Sequence, residues 1–158
     1  MFNIIENHNH FSINGWNPRT WFKREKLSKE TVRILFVDDL SFPIVENLSR
    51  AGYSSKRKKD IKDVDDADVK DRHIIFVDYD GVGKNFSETH QGAALVKAIK
   101  DKYGLSKFVV LYTDQISIPS ETSMNDLFKI ADSHMKKSGS NTSDFIEKIE
   151  EGIKRIKL

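Results

Sequence analysis

An α/β fold with a parallel sheet is predicted by three observations. Short apolar runs at 32–37, 74–77 and 108–112 are separated by stretches of helical spacing, the alternation that builds βα units. Each run is close to continuously apolar, as strands covered on both faces are. Polar, oxygen-bearing side chains close the runs: Asp38 and Asp39 after the first, Asp78 after the second and Thr113 after the third.

Taken in order, residues 32–37 give the first strand, and residues 42–48 have helical spacing that stops at Gly52. Residues 53–59 form the second strand. They are so polar, with Lys56, Arg57, Lys58 and Lys59 in a row, that an edge position suits them. A short charged helix is expected at 64–69, then the third strand at 74–78. Residues 91–103 read as a helix with Ala94, Leu95, Ala98 and Ile99 on one face and Gly104 closing it. The fourth strand, 108–112, precedes a helix at 125–131. A weak fifth strand at 133–136 leads into a last helix at 142–156, with Phe145, Ile149, Ile153 and Ile156 as its buried stripe and Thr142 or Ser143 as its cap. With the second strand at an edge, the expected order is 2-1-3-4-5, in three layers with helices on both faces.

In such a sheet the ligand crevice lies at the carboxyl ends of the strands. Asp38, Asp39 and Asp78 therefore converge, with the hydroxyl of Thr113 and the ammonium of Lys137 at the ends of the fourth and fifth strands. Clustered carboxylates of this kind suit a hard divalent cation.

Acidic pair, third-strand Asp, fourth-strand Thr and fifth-strand Lys, in that chain order, resemble the receiver domain of two-component response regulators, a flavodoxin-like fold. The resemblance runs from about Val32 onward and matches five positions. It implies that Asp78 is the phosphoacceptor, with Thr113 and Lys137 assisting. Mg²⁺ would be held by Asp38, Asp39, Asp78 and the backbone carbonyl of Asp80. Thr113 and His134, three residues before Lys137, would be the switch pair. The implied partners are a histidine kinase or phosphotransfer protein, a downstream protein target and a possible second copy of the chain. The implied role is signalling through protein contacts, and not enzymatic turnover.

Three positions depart from the family pattern. Ser138 replaces the proline that usually follows the lysine, so Lys136 and Lys137 both remain candidates for the pocket. Asp114 replaces the small residue after Thr113. The loop 79–90 lacks the usual Met-Pro turn and is long and glycine-containing, which fits a lid or a connection.

A second resemblance competes. Asp78-Tyr79-Asp80-Gly81-Val82 looks like the first motif of haloacid dehalogenase-like phosphatases, with Asp78 as nucleophile and Asp80 as general acid/base. Those enzymes place their acidic pair after the lysine, whereas here it precedes Asp78 and the later acids Asp144, Glu147, Glu150 and Glu151 follow a helical pattern. A third reading is a pseudo-receiver, the same fold used only for protein contacts. Gly81-Val82-Gly83 lacks the third glycine of a dinucleotide fingerprint, and His8-Asn9-His10 has no metal-ligand partners at suitable spacing.

Composition sets the limits. The 158 residues amount to one domain, without cysteine and without an apolar stretch that could span a bilayer. The first residues lack the pattern of a secretory signal, so a cytoplasmic protein is expected. The net charge of +2 arises in residues 1–30, which carry five basic and three acidic side chains. That small excess is no electrostatic footprint for direct nucleic-acid binding. Residues 1–30, with Phe2, Phe11, Trp16, Trp21 and Phe22, are expected to form an aromatic, basic extension beside a receiver-like domain at 31–158.

Overall fold

The computed structural model describes residues 26–114 and 122–158. Five parallel strands, β1 (Arg33–Val37), β2 (Ser54–Lys58), β3 (Ile74–Asp78), β4 (Phe108–Thr113) and β5 (Ser133–Lys136), lie in the order β2-β1-β3-β4-β5. The helices are α1 (Ile44–Arg50), α2 (Ala67–Asp71), α3 (Gln91–Tyr103), α4 (Thr122–Phe128) and α5 (Thr142–Arg155). The expected strand order and three layers are therefore observed, and the polar strand β2 is at an edge.

Side chains alternate across each strand, which splits the core in two. Ile34, Phe36, Ile74, Phe76, Val110 and Tyr112 pack with α1 and α5 through Leu48, Phe145 and Ile149. Leu35, Val37, Ile75, Val77, Val109 and Leu111 face the other way, toward Val69, Leu95, Val96 and Ile99. Gly152 lets α5 lie close on this sheet: a Cβ there would come within 2.8 Å of both Ile74 and Phe108 side chains.

Several element boundaries differ from the sequence expectation, each for a local reason. Helix α1 begins at Ile44 and not at residue 42, because the residue before Pro43 is disfavoured in helical conformation. Phe42 is thereby free to pack across the sheet end against Phe36 and Tyr112. Helix α2 begins at Ala67 because the Asp66 carboxylate caps it, accepting from the Asp68 amide. Helix α4 ends at Phe128 and does not reach Ala131. The amides of Ile130 and Ala131 turn back to Leu127 and Phe128, and the His134 ring nitrogen takes the Phe128 carbonyl at 2.6 Å. The cap of α5 is Asn141, in place of Thr142 or Ser143, and it forms a reciprocal capping box with Asp144. The expected extension lies mostly outside the described residues. Of its described part, Leu27 is buried and Ser28 to Thr31 form a hydrogen-bonded turn. No helix among the described residues is long and apolar enough to cross a membrane.

Candidate functional site

Asp38 follows Val37 at the end of β1, and strand alternation turns its side chain to the face of Phe36. Asp78 shares that face and pairs in register with Tyr112. The carboxyl ends of β1, β3 and β4 therefore aim Asp38, Asp78 and the Tyr112 hydroxyl at one volume. Carboxylate oxygens of Asp38, Asp39 and Asp78 lie within 4.8 Å of one another. Asp38 is fully buried, Asp78 nearly so, and Asp39 is half-buried.

Lys137, and not Lys136, reaches into this group. Its ammonium is 2.8 Å from Asp38 Oδ2 and 2.7 Å from Asp78 Oδ2, and it lies over the rings of Phe42 and Tyr112 at 5.6 and 5.5 Å. Lys136 is exposed. Burial pushes the Asp78 carboxyl above the usual carboxylate range; Lys137 opposes this and the Asp38 charge adds to it. For Lys137, burial works against the charge, but hydrogen bonds to Asp38 and Asp78 outweigh it and hold the ammonium above its ordinary value. The pocket is thus poised between too much negative charge and one internal cation.

Asp38 is held from several sides. Its Oδ1 accepts from the Leu40 amide at 2.8 Å, its Oδ2 accepts from the Tyr112 hydroxyl at 2.6 Å, and its backbone carbonyl accepts from Arg57 at 2.6 Å. Burial, and then the Asp38 charge, pushes the Tyr112 phenol well above its ordinary range, so it stays a donor.

The loop after Asp78 is anchored to the protein. Val82 is buried in the core, and the Gly83 amide donates to Asp60 Oδ1 at 2.7 Å. Gly81 has φ +82°, and a Cβ there would lie 2.5 Å from Asp39 Oδ2, so only glycine lets the loop cross the carboxylate so closely. Gly92, in the first turn of α3, would place a Cβ 1.9 Å from the Asp78 carbonyl. Asp80, the expected carbonyl donor, is exposed in this loop.

Thr113 is buried at the end of β4, where its carbonyl accepts from the Lys137 amide at 3.1 Å. His134 is separated from the acidic group. It is exposed, stacks on Phe128 at 5.9 Å and helps line a cavity of about 320 Å³ with Leu111, Thr113, Asn125 and Met135. Phe128 also contacts Tyr79, the residue after Asp78, at 5.3 Å. An aromatic row therefore links the loop beyond Asp78 to β5.

Sequence reading missed Tyr112, Arg57 and the pairing of Asp114 with Ser138. The first had a usable signal, since a tyrosine one residue before Thr113 shares the face of Asp78. The other two depend on contacts between distant loops or strands.

Among solved structures, the chain is similar to an orphan response regulator of H. pylori, at 18% identity with a TM-score of 0.59 over 80% of this chain and 99% of that one. It is also similar to a CheY-like receiver domain protein from Methanospirillum hungatei JF-1, at 21% identity and TM-score 0.58 over 78% and 94%. The fold is that of response-regulator receiver domains. A further similar structure is a Burkholderia pseudomallei response regulator with a phosphorylated aspartic acid, a calcium ion and citrate, at 16% identity and TM-score 0.55 over 78% and 69%. No family model and no curated protein matches the chain. Asp38, Asp39, Asp78 and Lys137 meet in one pocket at the carboxyl ends of the strands, and Thr113 ends β4, the strand beside Asp78.

Proposed function

We propose that the chain is a receiver that accepts a phosphoryl group on Asp78 and signals through protein contacts. The observation that carries this reading is the bridge from Lys137 to Asp78 and Asp38 beside the three clustered carboxylates. An Asp78 carboxylate oxygen would attack the phosphorus of a phosphohistidine or a small acyl phosphate. A new O–P bond forms, the donor's N–P or O–P bond breaks, and the leaving group departs with the electron pair. Lys137 offsets the charge on the transferred group, and Thr113 is the hydroxyl able to hydrogen-bond the product. Most of the rate would come from positioning and electrostatics.

The donor set fits Mg²⁺, being entirely hard oxygens from Asp38, Asp39, Asp78 and the Asp80 carbonyl. When bound, Mg²⁺ supplies charge neutralisation at the phosphoryl oxygens. The phosphoryl source would be a histidine kinase or phosphotransfer protein, and the output a downstream protein or a second copy of the chain, without direct nucleic-acid or membrane contact. Residues 1–30 would act as an extension to a receiver at 31–158, in the cytoplasm. The aromatic row Tyr79–Phe128–His134 supports an output route through α4 and β5, with Thr113 and His134 as its switch residues.

Against the phosphatase alternative, Asp144 serves the α5 cap and Glu151 pairs with Arg155 at 2.8 Å, so two of the late acids are already engaged elsewhere. The pseudo-receiver alternative is separated from phosphoacceptance by one experiment. Fluorine NMR with beryllofluoride and Mg²⁺ should give a protein-bound signal in the wild type and none in Asp78→Asn. Absence of a bound signal in the wild type favours the pseudo-receiver. Sustained Mg²⁺-dependent hydrolysis of a generic phosphomonoester favours the phosphatase.

A further inference from the structure

Gln91 opens α3 with φ +40°, the left-handed region that L side chains seldom adopt, and it is the one non-glycine residue of positive φ among the described residues. Its neighbours account for the turn. A Cβ on Gly92 would come 1.9 Å from the Asp78 carbonyl, so the chain enters α3 pressed against the backbone of Asp78. On the other side, a Cβ on Gly83 would come 2.6 Å from the Gln91 carbonyl. Glycine at position 91 would take this conformation freely, but glycine has no side chain to offer. A backbone held in a sparsely populated region at such a place indicates work for its side chain.

That side chain reaches back into the loop after Asp78, where Gln91 Oε1 accepts from the Gly81 amide at 2.7 Å. The Gly81 N–H belongs to the same planar unit as the Asp80 carbonyl, and in a trans peptide the two point in opposite directions. Fixing the one fixes the other. The next two residues are tied as well, Val82 by burial and Gly83 by its bond to Asp60 Oδ1, whereas Lys84 and Asn85 beyond them are exposed. The anchors are concentrated on the part of the loop that carries Asp80.

We propose that Gln91 is a positioning residue whose side-chain carbonyl holds the Asp80–Gly81 peptide, so that the Asp80 carbonyl is set in one orientation before a cation arrives. The inference rests on the metal pocket of the proposed function and adds to it a residue of α3 that acts on the cation only through the loop. A preset donor needs no ordering when the cation binds. A peptide released from Gln91 has to be ordered at the expense of affinity, because fixing backbone conformation opposes binding.

The test pairs a calorimetric titration with MgCl₂ alone and metal-free exchange of the Gly81 amide read by NMR. Gln91→Met keeps the length of the side chain and removes its oxygen acceptor. It should bind Mg²⁺ about three- to tenfold more weakly than wild type and exchange the Gly81 amide faster by a similar factor, about that expected for one lost hydrogen bond. Gln91→Asn suits the left-handed backbone but is one methylene too short to reach Gly81, so it should show the same two losses even if Gln91→Met folds poorly. Gln91→Glu restores an acceptor oxygen and should return Gly81 exchange to near the wild-type rate. Weaker Mg²⁺ binding with unchanged Gly81 exchange overturns the inference, as does faster exchange with unchanged Mg²⁺ affinity, the result of a merely structural role. Failure of Gln91→Glu to restore protection also overturns it. A wild-type chain that takes up no Mg²⁺ overturns the metal pocket of the proposed function together with this inference. A wild type that binds, with Gln91→Met and Gln91→Asn matching it, overturns this inference alone.

Discussion

Asp114 and Ser138 close on each other across the mouth of the pocket. The Ser138 amide donates to Asp114 Oδ1 at 2.5 Å and the Ser138 hydroxyl donates to the same oxygen. These are two of the positions at which the chain departs from the receiver pattern, and they answer one another. A proline after the lysine has no N–H to give; a serine there has one, and the aspartate after Thr113 receives it. The hydroxyl, and then the amide of Ser138, hold the Asp114 carboxyl below its usual range. With the bond from the Lys137 amide to the Thr113 carbonyl, the clasp fixes the start of the turn that presents the Lys137 side chain.

Asp114→Ala should therefore raise the exchange rate of the Ser138 amide about tenfold, the factor expected for loss of one charge-assisted hydrogen bond. Asp114→Asn keeps an acceptor and should stay nearer to wild type. Amide exchange read by NMR decides this, and unchanged protection in Asp114→Ala would mean that the clasp does not order the turn.

Removing the Lys137 ammonium leaves Asp38 and Asp78 facing one another without a cation. Lys137→Met should lower metal-free stability by about 2–3 kcal/mol, below the usual cost of breaking a fully buried pair because the lysine retains some exposure. Mg²⁺ should recover more stability in this variant than in wild type. The matched surface change Lys136→Met should stay within about 0.5 kcal/mol of wild type. Urea unfolding with and without Mg²⁺ measures all three, and equal losses at 136 and 137 would contradict the observed bridge.

At the opposite end of the sheet, Lys107 is buried, donates to the Lys70 and Arg72 carbonyls and lies over the Tyr103 ring. Burial pushes it down from 10.5 to about 8, with the nearby Asp71 opposing and Arg33 assisting. Between those values the unfolded chain binds the proton and the folded chain does not, so the Lys107 contribution to stability rises as pH rises from about 8 to 10.5. Lys107→Met should remove this rise. The check is the urea midpoint of both proteins from pH 7 to 10. If the difference between them stays constant across that window, Lys107 is not the source.

The strand ends were legible because a few residue types carry them. Apolar runs that stop at Asp38, Asp78 and Thr113 announce both a buried parallel sheet and the chemistry at its rim, and the charge on residues 56–59 marks β2 as an edge. Helix limits were less legible, since they turn on single hydrogen bonds: Asp66 and Asn141 as caps, and the Phe128 carbonyl given to His134. The choice between Lys136 and Lys137 was open in the sequence because both follow β5 directly. Alternation along the strand and the turn at Ser138 decide which one meets Asp78. The contact of Tyr112 with Asp38 required the third dimension, since the bond spans 74 positions.

Phosphoacceptance by Asp78 is the property on which the proposed receiver function depends most directly. Intact-mass measurement after incubation with a small acyl phosphate and Mg²⁺ should show a single phosphoryl adduct on the wild-type chain, not formed when Mg²⁺ is omitted and absent from Asp78→Ala. An adduct that persists in Asp78→Ala, or a wild-type chain that stays unmodified with several acyl phosphate donors, would contradict it.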